Sequence, residues 1–106
     1  MLQYLNQTNF DDALQGNDVV LVDFYADWCG PCKALHPALE NLSKDFDGKA
    51  TIAKVNVDEN PELSQQFGVT SIPALFYFKK GELAGKQIGL QTQTAIANNL
   101  NSLLAN

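Results

Sequence analysis

The sequence predicts an α/β fold in which a central mixed sheet of five strands is flanked by four helices. Strand-like and helix-like segments alternate through most of the chain, which is typical of parallel strands joined by helices. Val19–Tyr25 is an almost continuous apolar run, as expected of a strand covered on both faces. Two later strand-like segments are separated by a short turn, so they form an antiparallel hairpin and make the sheet mixed.

The chain begins with a short predicted strand at Tyr4-Leu5. Thr8 is a predicted helix cap, with Asp11 three residues on as its acidic partner. Val19–Tyr25 is the second strand. A second helix follows, because apolar residues recur at helical spacing around an internal Pro37, namely Leu35, Leu39, Leu42 and Phe46.

Thr51–Val57 is the third predicted strand. Asn60-Pro61 then supplies a helix cap with proline at the first helical position, which opens a short helix running through Leu63 and Phe67. This segment completes the alternating part of the chain.

The last part of the chain is predicted to be a hairpin and a closing helix. Ala74–Phe78 and Leu83–Ile88 are the two strands, with Lys79-Lys80-Gly81-Glu82 at the turn. The closing helix is amphipathic, and its apolar positions are Ile96, Leu100, Leu103 and Leu104. We therefore expect one domain spanning residues 1–106.

Composition excludes several classes of function. The 106 residues are 45% hydrophobic, which is enough to bury a core, and the net charge of -5 argues against binding to nucleic acid. The sequence has no apolar run of membrane-spanning length, and its start lacks the features of a secretory signal. We expect a cytoplasmic monomer with no membrane contact.

The two cysteines of the chain form the most informative motif, Trp28-Cys29-Gly30-Pro31-Cys32-Lys33. The motif follows a strand and opens a helix, whose free N–H groups and dipole favour a thiolate. Across one helical turn the two Cα atoms are about 5 Å apart, a separation that a disulfide requires. The pair is therefore predicted to be a redox switch.

Other interpretations of the pair stay open at this point. Cys29 and Cys32 together with His36 could be part of a zinc site, although a fourth ligand is not evident. The thiols could also be unreactive core residues, although the glycine, the proline and the helix start fit this poorly. Haem attachment is disfavoured because Lys33, not histidine, follows the second cysteine. His36 itself is expected to be a surface or half-buried helix residue without a role.

Two charged residues interrupt apolar strands. Asp23 is predicted to have a raised pKa if it is buried, which would make it a candidate proton carrier; alternatively, it lies near the strand end and stays solvated. Lys54 shares a strand face with Ile52 and Asn56, and it could pair with Asp23 or extend its stem to water. Ile72-Pro73, just before the hairpin, is a candidate cis peptide bond, although trans is the more frequent form.

These landmarks together resemble the thioredoxin family over nearly the whole chain, and Cys-x-x-C beside a strand–helix unit is typical of its redox motif. The resemblance rests on ordered segments that include Asp23–Lys33, Pro37, Lys54–Asp58, Ser71–Leu75, Lys80–Glu82 and Gly89. It implies a thioredoxin fold and a protein dithiol–disulfide oxidoreductase without a metal or other cofactor.

The resemblance also implies a role for each matching residue. Cys29 would be the exposed nucleophile and Cys32 the buried resolving thiol, with Asp23 assisting proton transfer beside Lys54. Pro73 would be the cis-proline that faces the disulfide. An extended substrate segment would bind on an apolar surface that includes the following residues: Trp28, Gly30, Pro31, Val57, Ile72, Pro73 and Gly89.

The expected partners are disulfide-containing target proteins and thioredoxin reductase. Leu90 replaces a small residue that the family often carries after Gly89, which concerns the choice of partner and not the chemistry. Two rival functions stay open. One is a binding module whose apolar surface docks a partner, and the other is an oxidising or isomerising enzyme.

Overall fold

The computed structural model describes residues 1–105, and these form a five-stranded sheet with four helices, as predicted. The elements in chain order are β1 (Gln3–Leu5), α1 (Phe10–Gly16), β2 (Val19–Tyr25), α2 (Gly30–Asp45), β3 (Thr51–Asn56), α3 (Pro61–Gln66), β4 (Ala74–Lys79), β5 (Glu82–Ile88) and α4 (Gln93–Leu104). None of the helices within this part of the chain has the length and apolar composition needed to cross a membrane.

The order, direction and register of the strands bring several chain segments together at one edge of the sheet, where β2 and β5 end and β4 begins. The order is β1-β3-β2-β4-β5; β2 runs parallel to β3, while β4 is antiparallel to both β2 and β5. Phe24 near the end of β2 is paired with Ala74 at the start of β4, which is paired in turn with Ile88 at the end of β5. The segments that follow β2 and β5 and precede β4 therefore meet at this edge.

The two faces of β2 pack against different helices. Val20, Val22 and Phe24 belong to one apolar cluster, which includes residues of α1 and α3. Val19 and Leu21 belong to the other, which includes residues of α2 and α4. Because side chains alternate along a strand, Asp23 lies on the same face as Val19 and Leu21, which is the α2 side of the sheet.

Of the two predicted helix caps, the one at Thr8 is wrong and the one at Asn60 is confirmed in position. The first helix is capped at Asn9 rather than Thr8, because Asn6 and Asn9 bind the backbone of the preceding turn and leave Thr8 within it. Asn60 does occupy the cap position of α3, but its side chain makes no capping hydrogen bond. Its Oδ1 instead accepts from the backbone N–H of Gln7, which ties α3 to the segment after β1.

Candidate active site at the start of helix α2

The cysteine pair lies where the chain passes from β2 into α2. Cys29 is the N-cap residue of the helix and Cys32 lies in its first turn, with Pro31 at the second helical position. The two sulfurs form a disulfide, and the Cα atoms are 5.3 Å apart, close to the separation expected from the sequence. The helix geometry therefore allows this bond to form between residues three positions apart.

The helix start provides a favourable environment for negative charge on the first sulfur. The backbone N–H of Cys32 donates to Cys29 Sγ over 3.2 Å, as a side-chain oxygen would accept at an ordinary N-cap. The first turn carries no acidic side chain that would repel a thiolate at the positive end of the helix dipole. Both features stabilise a Cys29 thiolate once the disulfide is reduced.

The expectation that Cys29 is exposed is wrong for the disulfide form. Cys29 is 5% exposed and Cys32 is 1% exposed, so both are buried. The cover comes from Ile72 and Val57, which pack against the pair, and Cys29 Sγ lies 3.9 Å from the carbonyl oxygen of Ile72. The two cysteines therefore differ in their position on the helix more than in exposure.

Most of the apolar residues expected to bind substrate surround this pair. Trp28 is 70% exposed, and its indole N–H donates to the carboxylate of Asp58 over 2.8 Å. The Ile72–Pro73 peptide bond is cis, as the family resemblance implies. The backbone N–H of Gly89 donates to the carbonyl of Pro73 over 2.8 Å, which fixes the end of β5 beside this loop. Gly30 and Pro31 are exposed at the helix start, and Val57 and Ile72 are half-buried.

Asp23 is buried completely, so the solvated alternative is wrong. Neither carboxylate oxygen has a hydrogen-bond partner among residues 1–105. Removal from water raises the pKa of Asp23 from 3.8 to about 7, while the positive charge of Lys54 opposes the rise. A carboxyl group with this pKa can take up and release a proton near neutral pH.

Lys54 is the register partner of Asp23 on β3 and is only 5% exposed. Its Nζ lies 3.0 Å from His36 Nδ1 and 4.1 Å from the centre of the Tyr25 ring. Burial lowers the pKa of Lys54. The nearby carboxylates counteract that effect; they belong to Asp23, Asp27 and Glu40. Lys54 and Cys32 line the same cleft, which has a volume of about 510 Å³.

His36 was expected to be without a role, yet it connects Lys54 to the helix surface. It is half-buried, as expected, and its Nε2 lies 2.6 Å from Glu40 Oε1. Both ring nitrogens are therefore engaged by protein groups, and both sulfurs are in the disulfide, which argues against a zinc site of these three residues. Spacing did offer one signal, since His36 lies one helical turn after Cys32 and on the same side of α2.

The sequence and the fold are similar to those of known thioredoxins. The thioredoxin family model matches residues 1–102. A thioredoxin from Staphylococcus saprophyticus is 50% identical over 93 residues, which cover 88% of each chain. A thioredoxin from Haemophilus influenzae is 41% identical over 99 residues and 92% of each chain. The structure of a mutant thioredoxin from Halobacterium salinarum superposes with a TM-score of 0.91 at 42% identity, covering 97% of this chain and 90% of that one.

The comparisons and the site geometry agree on the chemistry. A pair of cysteines at disulfide distance on a helix start can exchange its bond with a disulfide of another protein, because a thiolate displaces one sulfur of the target. Protein-disulfide reductase activity therefore follows, with disulfide-containing proteins as the targets. The chain belongs to the thioredoxin family, and its Cys29–Cys32 pair makes it a protein dithiol–disulfide oxidoreductase.

Proposed function

We propose that Cys29 is the attacking thiolate of this reaction and that Cys32 is the resolving thiol. Cys29 attacks one sulfur of the target disulfide, forming a mixed disulfide while the other target sulfur leaves as a thiolate. Cys32 then loses its proton and attacks Cys29 Sγ, closing the intramolecular disulfide and releasing the second target sulfur. Both target thiolates take up protons, and two electrons pass from the protein to the target.

The assignment of the two cysteines rests on the hydrogen bond at the helix start. Only Cys29 occupies the N-cap position, and its sulfur accepts the N–H of Cys32. That bond and the helix dipole favour the charged form of Cys29 over that of its partner, which supports Cys29 as the nucleophile.

We propose that Asp23 accepts the proton that Cys32 loses before the second attack. The burial of Asp23 and its pKa of about 7 support this role, since an acceptor works best when its pKa lies near the working pH. Lys54 would assist by keeping a positive charge beside the carboxylate, which prevents the pKa from rising further.

The surface around the disulfide is proposed to bind an extended segment of the target. Trp28 offers an exposed ring, and Ile72 beside the disulfide is half-buried, whereas Pro73 is buried behind them and its carbonyl already accepts from Gly89. The full proposed surface consists of Trp28, Gly30, Pro31, Val57, Ile72, Pro73 and Gly89. Apolar contact supplies affinity without a sequence-specific pocket, which suits a reductase with several targets.

Thioredoxin reductase is the proposed electron donor, and the protein is proposed to act as a cytoplasmic monomer consisting of one domain over residues 1–106. Its two cysteines form a single reactive pair, which is typical of a reducing compartment, where structural disulfides are rare. The net charge of -5 favours separate chains through mutual repulsion.

A coupled assay tests this set of proposals. The protein, thioredoxin reductase and NADPH are mixed with insulin, and NADPH consumption is followed. In a separate sample, light scattering measures the mass of the protein alone. We expect catalytic NADPH consumption by a monomer, and none from the Cys29→Ser, Cys32→Ser double variant. Insulin reduction by dithiothreitol but not by the reductase system would overturn the proposed donor. A double variant that keeps every biological activity would favour the binding-module alternative.

A further inference from the structure

The amine of Lys54 is surrounded by protein groups whose purpose the proposed reaction does not explain. Its Nζ faces the ring of Tyr25 at 4.1 Å and His36 Nδ1 at 3.0 Å, while the carboxylate of its register partner Asp23 has no hydrogen-bond partner in the described chain. The ammonium is therefore held by groups on β2 and α2, and not by a direct hydrogen bond to the carboxylate it influences.

The protonation of His36 follows from its two contacts. The carboxylate of Glu40 can only accept, so His36 Nε2 carries a hydrogen and donates to it. His36 Nδ1 and Lys54 Nζ then face each other across 3.0 Å with room for one proton between them. A charged Lys54 ammonium can only donate, so His36 Nδ1 accepts from it across this contact.

The remaining charged and titratable groups around this pair come from two strands, the segment after β2 and helix α2. Those that line the cleft or act on Lys54 are Tyr4 on β1, Asp23 and Tyr25 on β2, Asp27 after β2, and Lys33 and Glu40 on α2. The carboxylates favour a positive charge at this position, while Lys33 opposes it. His36 is the member of the pair that reaches the surface, since its side chain is 32% exposed whereas Lys54 is 5% exposed.

We propose that His36, held by Glu40, is a positioning residue that keeps the Lys54 charge beside Asp23. This inference rests on the proposed function of Asp23 and Lys54. After the Cys32 proton has passed to Asp23, the carboxyl group must return that proton to water before the next cycle. The Lys54–His36 contact holds the positive charge that favours this release.

The test is the titration of Asp23, followed by the carbon chemical shift of its labelled carboxyl group in the disulfide form. His36→Leu removes the group that accepts a hydrogen bond from Lys54, while the leucine side chain still fills the space of the ring. We expect the titration midpoint of Asp23 to rise by about 0.5 pH unit or more, because the ammonium is less favoured and attracts the carboxylate less. His36→Gln keeps an oxygen acceptor, so its shift should be much smaller.

A second background shows whether the effect passes through Lys54. In Lys54→Met, His36→Leu should add no shift, whereas an equal shift would show that the ring acts by excluding water alone and would overturn the proposal. An unchanged midpoint in His36→Leu, or an equal rise in His36→Gln, would also overturn it. If the His36 variants fail to fold, exposed Glu40→Gln should raise the midpoint slightly, and Asp45→Asn, about 7 Å further along the same helix, should not.

The kinetic arm separates this inference from the proposed function. If Asp23→Asn leaves the rate of mixed-disulfide resolution unchanged, the proposed proton role of Asp23 fails, while the titration still decides whether His36 controls its charge. If Asp23→Asn slows resolution but no His36 variant moves the Asp23 titration, the role of Asp23 stands and the inference about His36 fails.

Discussion

Asp23 and Lys54 are paired in register on β2 and β3 and are both buried, yet their charges are not joined by a hydrogen bond. The Lys54 amine bonds to His36 instead, and both Asp23 oxygens lack a partner within residues 1–105. The charge of Lys54 therefore stabilises the Asp23 carboxylate only through its field, which does not offset the loss of solvation. Ionised Asp23 is a source of instability, and a neutral group there should be tolerated.

Asp23→Asn should slow disulfide reduction near neutral pH and stabilise the fold at the same time. The variant keeps the shape and removes both the proton acceptor and the buried charge. The gain in the free energy of unfolding should be on the order of 1–3 kcal/mol at neutral pH, because the amide is also a buried polar group and offsets part of the benefit. Denaturant unfolding and insulin reduction on one preparation measure the two effects.

The possible combinations of results have different meanings. A gain in stability without a change in rate would support the burial of Asp23 but would contradict its proposed role as the proton acceptor. Slower catalysis with lower stability would contradict the field-only interaction, because it would show that Asp23 is held as an ion pair whose loss disturbs the site.

The stability of the disulfide form should fall as the pH rises from about 4 to about 7. In this range the unfolded chain has lost the Asp23 proton while the folded chain still binds it, so raising the pH favours unfolding. With about 1.36 kcal/mol for each pKa unit, the rise from 3.8 to about 7 gives a loss on the order of 4 kcal/mol at most.

The comparison with Asp23→Asn isolates this loss from the titration of other groups. Urea unfolding of both proteins at each pH should give stabilities that converge near pH 4 and separate toward pH 7. A difference that stays constant over this range would contradict the raised pKa of Asp23.

The sequence was sufficient for the sheet and for the cysteine pair, because local patterns determine both. The bounds of β2 agree with the apolar run of the sequence, whereas β3 ends at Asn56, one residue before the predicted end. The caps were less predictable, since the choice between Thr8 and Asn9 depends on which side chains reach the turn backbone.

The features that sequence reasoning missed depend on contacts between distant segments. Cys29 is buried because Ile72 and Val57 cover it, and both come from loops far along the chain. The Lys54–His36 bond depends on how α2 is rotated about its axis over β3, which alternation along a strand does not determine.

Cys32→Ser should accumulate mixed disulfides with target proteins, whereas Cys29→Ser should trap few. The reason is not exposure, since both cysteines are buried in the disulfide form, but the helix cap that favours a Cys29 thiolate. Without Cys32 the intermediate on Cys29 cannot be resolved from within the chain. Non-reducing gels of each variant after incubation with disulfide-bearing proteins give the measurement, and equal trapping would contradict the role assignment.

The fluorescence of Trp28 should report the redox state of the protein. Trp28 is the one tryptophan of the sequence, adjoins Cys29 and is held by Asp58, so converting the disulfide to two thiols changes its surroundings without refolding the chain. Adding dithiothreitol should change the emission spectrum and leave the far-ultraviolet circular dichroism unchanged. The Cys29→Ser, Cys32→Ser double variant is the control and should not respond. An equal response in that variant would show that the signal does not come from the sulfur pair, and loss of the signal on adding a chelator would favour a metal site instead.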